Sequence, residues 1–353
     1  MITVGVVVNP VAGMGGRVGL HGTDGPALQA ALGRGAEPVA PHRARRALDR
    51  LHALVPDVPI LTVDGPMGTD HMGPGWTVKA LPGNTVTTAE DTRTAVRAMV
   101  EAGVGLVLFV GGDGTARDVL AVAGDTPILG VPSGVKMHSG VFATGPEVAG
   151  ITAARFVTDP TLLGTAEVVD RTDTLQLHGV ATVPNVRHAL QGTKTVATGG
   201  DLAGLGRDVA TETEAGQLLL LGPGTTVAHV NAALGVPSSP LGVDVVLDGR
   251  LLAADASEAE LLALLADHPR ARLVLGVVGG QGFLLGRGNQ QISAAVLAAV
   301  GPDNLVILAA HGKIAALDPP VLLVDIEDPP VTGYRRVRTG RGRSVVLRVA
   351  ASS

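Results

Sequence analysis

The chain has 353 residues, 46% of them hydrophobic but only 2% aromatic, no cysteine, and a formal net charge of −5 at pH 7. These figures exclude a disulfide framework, a thiolate nucleophile and a zinc–thiolate site. They also argue against a general nucleic-acid binder, whose affinity comes from neutralising phosphates. The length exceeds one average domain, so two cores are expected, packed with Val, Leu, Ile and Ala like parallel strands under Ala-rich helices.

The opening MITVGVVVNP lacks the basic flank and long apolar core of a signal peptide, and no apolar run approaches the length of a membrane span. A cytoplasmic protein without membrane contact is the expectation. In chain order, strands are predicted near Ile2–Val8, Ile60–Val63, Val78–Leu81, Leu106–Val110 and Ile128–Val131, with helices between them. Thr88-Ala-Glu-Asp91 has the form of a capping box, and Ala95, Val96, Met99 and Val100 follow at helical spacing. This βα repetition predicts a Rossmann-like, doubly wound N-terminal domain.

After a helix around Glu147–Val157 the texture changes. Residues 164–190 alternate apolar and polar side chains, the mark of an antiparallel, more exposed sheet, and a boundary is placed near residue 160. Residues 192–216, rich in Gly, Thr and Asp, read as a loop or linker with a weak helix signal. Strand–loop–helix units then return at LLLLGPGTTVAHV, LVLGVVGGQGFLLGRGNQQIS and LVILAAHGKIAAL. The expected organisation is an N-terminal α/β domain over 1–160, a β-rich α/β domain over 161–334, and a tail over 335–353 that is free to return to the N-terminal domain.

The GGDGT loop and four other glycine-rich loops follow apolar strands, where ligands of open α/β sheets bind. In FVGGDGTARDVLAVAG, a strand Gly105–Val110 running into a helix Thr115–Ala123 leaves the amides of Gly111, Gly112 and Gly114 at a helix N-terminus, a ready anion site. Asp113 would repel an anion there unless it has another task. A capped turn by itself also accounts for Asp113-Gly114.

The first loop, NPVAGMGGR, offers Asn9, Pro10 and Gly13; GVPSGVKMHSG offers Pro132, Ser133, Gly134 and Lys136. GPGTT adds Gly222, Gly224, Thr225 and Thr226, and GGQGFLLGRGNQQ adds Gln281, Arg287, Asn289 and Gln290. Each loop alone is equally well explained as a turn, and GPGTT as a strand–helix turn capped by Thr226. Neither GxxxxGK[ST] nor GxGxxG is present, so phosphate would be held by backbone amides with Lys136 or Arg287 as cations. The histidines show no HxxxH or HExxH spacing, and no metal ligand is assigned.

GGDGT at 111–115, after an N-terminal strand closed by Asn9-Pro10, resembles the NAD kinase group in the superfamily that also holds diacylglycerol kinases, sphingosine kinases and phosphofructokinases. NPVAGMGG, GVPSGVKMHSGVFA, GPGTT, LGVDVV and GGQGFLLGRGNQQIS narrow the likeness to ATP-NAD kinase-like proteins, a subgroup that includes the acetoin-catabolism X proteins. The resemblance implies an NAD kinase-like fold with a cleft between two domains. It implies phosphoryl transfer from ATP or polyphosphate to the 2′-hydroxyl of NAD, with Mg²⁺ and with Asp113 as the base. A homo-oligomer is expected.

The Asn-Glu pair that grips the ribose in NAD kinases is not evident; Glu167 and Asp170 are positional candidates only. The stacking tyrosine of those enzymes has no counterpart. Asp244 and Asp248 in GVDVVLDGR are explained by a strand and a DG hairpin. Arg335, Arg336, Arg338, Arg341 and Arg343 read as a solvated terminal hairpin or as phosphate contacts. Two rivals stand beside NAD phosphorylation: a kinase of another small alcohol, and a nucleotide-binding regulator without turnover. A lipid kinase is disfavoured, because no amphipathic basic-aromatic segment would dock the chain on a membrane.

Overall fold

The computed structural model describes residues 1–20, 22, 25–171, 175–191 and 201–352. Residues 192–200 of the expected linker lie outside them. The first sheet contains β1 (Val4–Val8), β2 (Ile60–Val63), β3 (Val78–Leu81), β4 (Leu106–Gly111) and β5 (Ile128–Pro132), all parallel, in the order β3-β2-β1-β4-β5. Helices α1 (Pro26–Gly33), α2 (Ala40–Leu54), α3 (Ala89–Glu101), α4 (Asp113–Ala123) and α5 (Pro146–Thr158) belong to the same half of the chain.

Strands β1, β2, β4 and β5 are buried on both faces while the edge strand β3 is exposed, and the alternation along the buried strands decides which helix covers which side. Val4, Val6, Val8, Leu106, Leu108 and Val110 face α2 and α5, whose Ala44, Ala47, Ala149 and Ala153 permit close approach. Val7, Val107 and Phe109 face Val96 and Met99 of α3 and Val119 of α4.

A hairpin of β6 (Leu163–Arg171) and β7 (Leu175–Pro184) follows α5. The antiparallel pairing matches the alternation in the sequence. Its Val168, Ala181 and Val183 pack with Phe109, Val119 and Phe142, so the hairpin expected beyond the boundary at residue 160 shares the first sheet's core.

The second half begins with α6 (Leu202–Thr211), β8 (Leu218–Leu221), α7 (Thr225–Leu234), β9 (Asp244–Leu247), β10 (Arg250–Ala253) and α8 (Glu258–Asp267). It continues through β11 (Ala271–Gly276), β12 (Phe283–Leu285), α9 (Ala294–Val300), β13 (Leu305–Leu308), α10 (His311–Ala315), β14 (Val321–Val324), β15 (Gly333–Gly340) and β16 (Arg343–Ala351). These strands form one mixed sheet in the order β10-β9-β8-β11-β13-β15-β16-β14-β12. Asp248-Gly249 is the turn of the β9–β10 hairpin, with φ of +49° and +73°.

The arginine-rich segment expected as a tail lies inside this sheet, because β15 pairs with β13 and β16 with β14. Arg338 forks onto Glu212 at 2.9 and 2.8 Å. Ser352 reaches the first half, where its carbonyl closes on Gly145.

The capping box is present at α3. Asp91 Oδ2 accepts from the Thr88 amide at 2.8 Å and the Thr88 hydroxyl at 2.6 Å, while Thr88 Oγ1 accepts from the Asp91 amide at 3.3 Å. The Thr88 hydroxyl, then Asn84, hold the Asp91 carboxyl below its usual range. Asp91→Ala is expected to cost about 1 kcal/mol at neutral pH. Because the folded state lowers this carboxyl's pKa, its contribution is present above the unfolded value and lost as pH falls through the folded one. Urea titrations at pH 7 and at a pH well below the ordinary aspartate value should show the gap between wild type and variant closing.

Candidate active site

The strand order reverses between β1 and β4, since β2 and β3 lie to one side and β5 to the other. Such switch points open a crevice at the strand C-termini. Here β1 delivers Asn9, β4 delivers Gly112 and Asp113, and β5 delivers Ser133 and Gly134. Asn9 Nδ2 donates to Thr115 Oγ1 at 3.0 Å and ties the end of β1 to the first turn of α4.

The glycines are there because main chain meets main chain. Gly13 sits at φ +80°, and a Cβ on it would lie 2.0 Å from the Ser133 carbonyl oxygen. A Cβ on Gly134 would lie 2.7 Å from Cα of Gly112. Any side chain at either place pushes the loops apart.

The helix starts at Asp113, two residues earlier than expected; Gly112 is its N-cap, and no side chain caps it. The Asp113 side chain is buried, and its oxygens accept from four donors. Oδ2 receives the His138 amide at 2.7 Å and faces His138 Nδ1 at 3.0 Å. Oδ1 receives the Ser139 amide at 3.0 Å and the Ser139 hydroxyl at 2.7 Å. A carboxylate only accepts, so His138 carries its proton on Nδ1, which leaves the Nε2 lone pair unused when the ring is neutral. Among the described residues Nε2 has no hydrogen-bond partner, and it is not among the fully shut-off atoms.

His138 and Asp113 line a cleft of about 470 Å³, together with Asn9, Pro10, Gly13, Gly112, Gly114, Thr115, Gly134 and Lys136. Gly111 directly precedes this wall. Arg117 and Asp170 also line it and form an ion pair of 2.7 Å. Glu167, the other positional candidate, is exposed on β6 and is not among the lining residues. Among the described residues no Phe, Tyr or Trp lines the cleft.

Other residues singled out in the sequence lie elsewhere. Gly222, Gly224, Thr225 and Thr226 sit at the β8–α7 junction of the second sheet, outside the cleft wall; Thr226 lies inside α7, and its hydroxyl accepts from Lys313 Nζ at 3.2 Å. Asp244 is buried and accepts from Asn231 Nδ2 at 3.0 Å and the Ser239 amide at 2.7 Å, a brace for its own loop. Asn289 bonds Gly286 N and Leu284 O within the GRGNQQ loop. Gln281 Nε2 donates to Met137 O at 2.9 Å, holding the segment before His138 from the second half.

Pro132, Ser133, Arg287 and Gln290 line a separate pocket, where Arg287 and Arg43 share Asp325. Sequence reasoning passed over His138, Ser139, Arg43 and Asp325. His138 and Ser139 stand within the quoted GVPSGVKMHSG, but nothing local marks them as partners of Asp113.

Together these features define an α/β protein with a glycine-rich cleft at a topological switch point. The chain belongs to the ATP-NAD kinase family: the profile of the ATP-NAD kinase N-terminal domain matches residues 4–161, and that of the C-terminal domain matches residues 215–317. Comparison with curated proteins and with solved structures returned no match. Membership places the chain among kinases of NAD-kinase type. Among the described residues no helix is long and apolar enough to cross a membrane.

Gly13→Ala tests the loop contact. A positive φ together with a Cβ inside the Ser133 carbonyl should cost at least about 2 kcal/mol, read as a drop in the urea midpoint. A variant as stable as the parent would show that the loops separate freely.

Proposed function

We propose that this protein transfers a phosphoryl group from ATP, or from polyphosphate, to the 2′-hydroxyl of NAD in the cytoplasm, where all three are at hand. The observation that carries this reading is the GGDGT turn at the switch-point cleft of an ATP-NAD kinase family chain, with Asp113 and His138 bonded to each other in its wall.

In the proposed step the acceptor oxygen forms a bond to the donor's terminal phosphorus. The bridging P–O bond breaks, ADP or shortened polyphosphate leaves, and the hydroxyl proton passes to His138 Nε2. Asp113 is expected as the base from the family resemblance, yet here its oxygens are already engaged. It is better suited to hold His138 in the right tautomer and to stabilise the imidazolium that forms, as a buried carboxylate does behind a histidine base. Phosphoryl transfer otherwise relies on positioning and charge neutralisation, for which the Asn9, Gly13, Gly112 and Gly134 loops and Lys136 are available.

The carboxylates of the cleft do not fit a protein-held Mg²⁺. Asp113 is saturated, Asp118 binds Arg93 at 2.6 Å and Asp170 binds Arg117 at 2.7 Å. No group of three potential ligands occurs among the described residues. Mg²⁺ is therefore proposed to arrive bound to the donor phosphates, neutralising their charge.

A second reading, phosphorylation of a smaller alcohol, is favoured by the lack, among the described residues, of any Phe, Tyr or Trp in the cleft wall to stack on adenine. The likeness to acetoin-catabolism X proteins agrees with it.

Steady-state assays with MgATP and NAD test both readings. His138→Ala should lower kcat by roughly 10²- to 10⁴-fold, and Asp113→Asn should lower it while nucleotide binding persists. NADP should inhibit as a product, and 2′-deoxy-NAD should bind without reacting. If millimolar NAD and NADP leave the melting temperature unmoved, where a micromolar site would add about 4 kcal/mol, the acceptor is a smaller alcohol. Full activity in His138→Ala removes the histidine from the step.

A further inference from the structure

The main chain that carries His138 is held by two buried glutamines. Gln281, from the loop between β11 and β12, donates from Nε2 to the Met137 carbonyl at 2.9 Å, and Gln191, which follows β7, donates from Nε2 to the Ser139 carbonyl at 2.8 Å. The carbonyls one residue before and one residue after His138 are therefore each met by a side-chain amide, one from each half of the chain. Neither glutamine lines the cleft.

A peptide unit is planar, so the direction in which a side chain leaves the backbone follows from the two peptide planes that flank its Cα. The plane before His138 is pinned at both ends: its oxygen, on Met137, accepts from Gln281, and its N–H, on His138, donates to Asp113 Oδ2 at 2.7 Å. The plane after it is pinned through the Ser139 amide, which donates to Asp113 Oδ1 at 3.0 Å. The next plane is again pinned at both ends, the Ser139 carbonyl by Gln191 and the Gly140 amide by the Glu167 carbonyl at 2.9 Å. Met137 and Ser139 are buried, and a buried carbonyl deprived of its donor is costly. The plane turns to find another donor, and the imidazole turns with it. Gln191 Oε1 is itself buried with no partner among the described residues, so this side chain keeps its bond to Ser139 while its own oxygen goes unmet. A buried polar atom left in that state calls for a functional reason.

We propose that Gln281 and Gln191 are positioning residues for His138, setting the tilt of the imidazole so that Nδ1 meets Asp113 at 3.0 Å while the ring lines the cleft. The inference rests on the reading of His138 as the proton acceptor. It gives the second half of the chain a part in the reaction through an atom, Gln281 Nε2, that touches no reactant. Proton transfer depends on such placement, since a shift of about 1 Å in a reacting group can cost on the order of 10²-fold in rate.

The test uses Gln281→Met and Gln191→Met in the full chain, which keep the side-chain length and remove the amide. In steady-state assays with MgATP and NAD, Gln281→Met should lower kcat by about tenfold or more and leave KM for MgATP within about twofold. Gln191→Met acts one plane further from His138 and should show a smaller effect of the same kind. A second readout needs no turnover. In nucleotide-free protein with isotopically labelled histidine, the Nδ1–H resonance of His138, identified by its absence in His138→Ala, reports the bond to Asp113, and either glutamine substitution should shift or broaden it. A lowered melting temperature with kcat and the ring resonance both unchanged would make the glutamines braces of the fold and overturn the inference. A fall in kcat with an unmoved resonance would overturn it too, because the effect would then arise away from the imidazole. Full activity in His138→Ala, or no turnover of NAD by wild type, removes the functional reading alone; the resonance still decides whether the glutamines hold the ring. If Gln281→Met does not fold, Gln191→Met decides by the same measures.

Discussion

The buried carboxylate of Asp113 is the constraint on which the rest of the site depends. Taken from water, it must be met by donors on both oxygens, and the His138 and Ser139 amides, the Ser139 hydroxyl and the His138 ring meet it. Ser139 in turn accepts from the Val169 amide at 3.1 Å, and Gln191 Nε2 donates to the Ser139 carbonyl at 2.8 Å. One acid at the start of α4 thereby locates a loop, the β6 strand and the imidazole of the cleft. Losing it would orphan several buried donors at once.

The two sheets are joined around the same loop. Gly288 N donates to Val135 O at 2.9 Å, and Gln290 Nε2 donates to Val135 O at 2.6 Å. The GRGNQQ segment grips PSGVK main chain to main chain, while Gln281 holds Met137. Residues just before His138 are thus fixed from the second half, and those just after it from the first. A histidine at that junction keeps its position only while both halves are in place.

Scarcity of aromatics shapes how the ligand site is made. With cores of Val, Leu, Ala and few Phe, the helices lie close to the sheets, and the loops close on each other through glycine rather than by interlocking rings. The cleft wall accordingly mixes glycine backbone and small polar groups with aliphatic side chains such as Val11, Leu28, Met67 and Leu241.

The sequence by itself determined the local elements. Alternating Val and Leu runs closed by Gly and Pro specify the five parallel strands, Thr88 and Asp91 specify the start of α3, and GGDGT specifies a strand–helix turn with exposed amides, since all of these are decided within a few residues. The tertiary structure decided what each charged side chain does. Asp113 and His138 are 25 positions apart, and Arg43 and Asp325 are 282 apart. Neither pairing has a local signature, because burial and counter-charge exist only once distant strands have assembled. For the same reason GPGTT, equally a turn or a phosphate loop in isolation, stands at the end of β8 in the other sheet, and Arg338 of β15 pairs with Glu212 at the end of α6. Composition and spacing report the conformations a segment prefers, whereas the energy of a buried charge depends on which neighbours the whole chain brings to it.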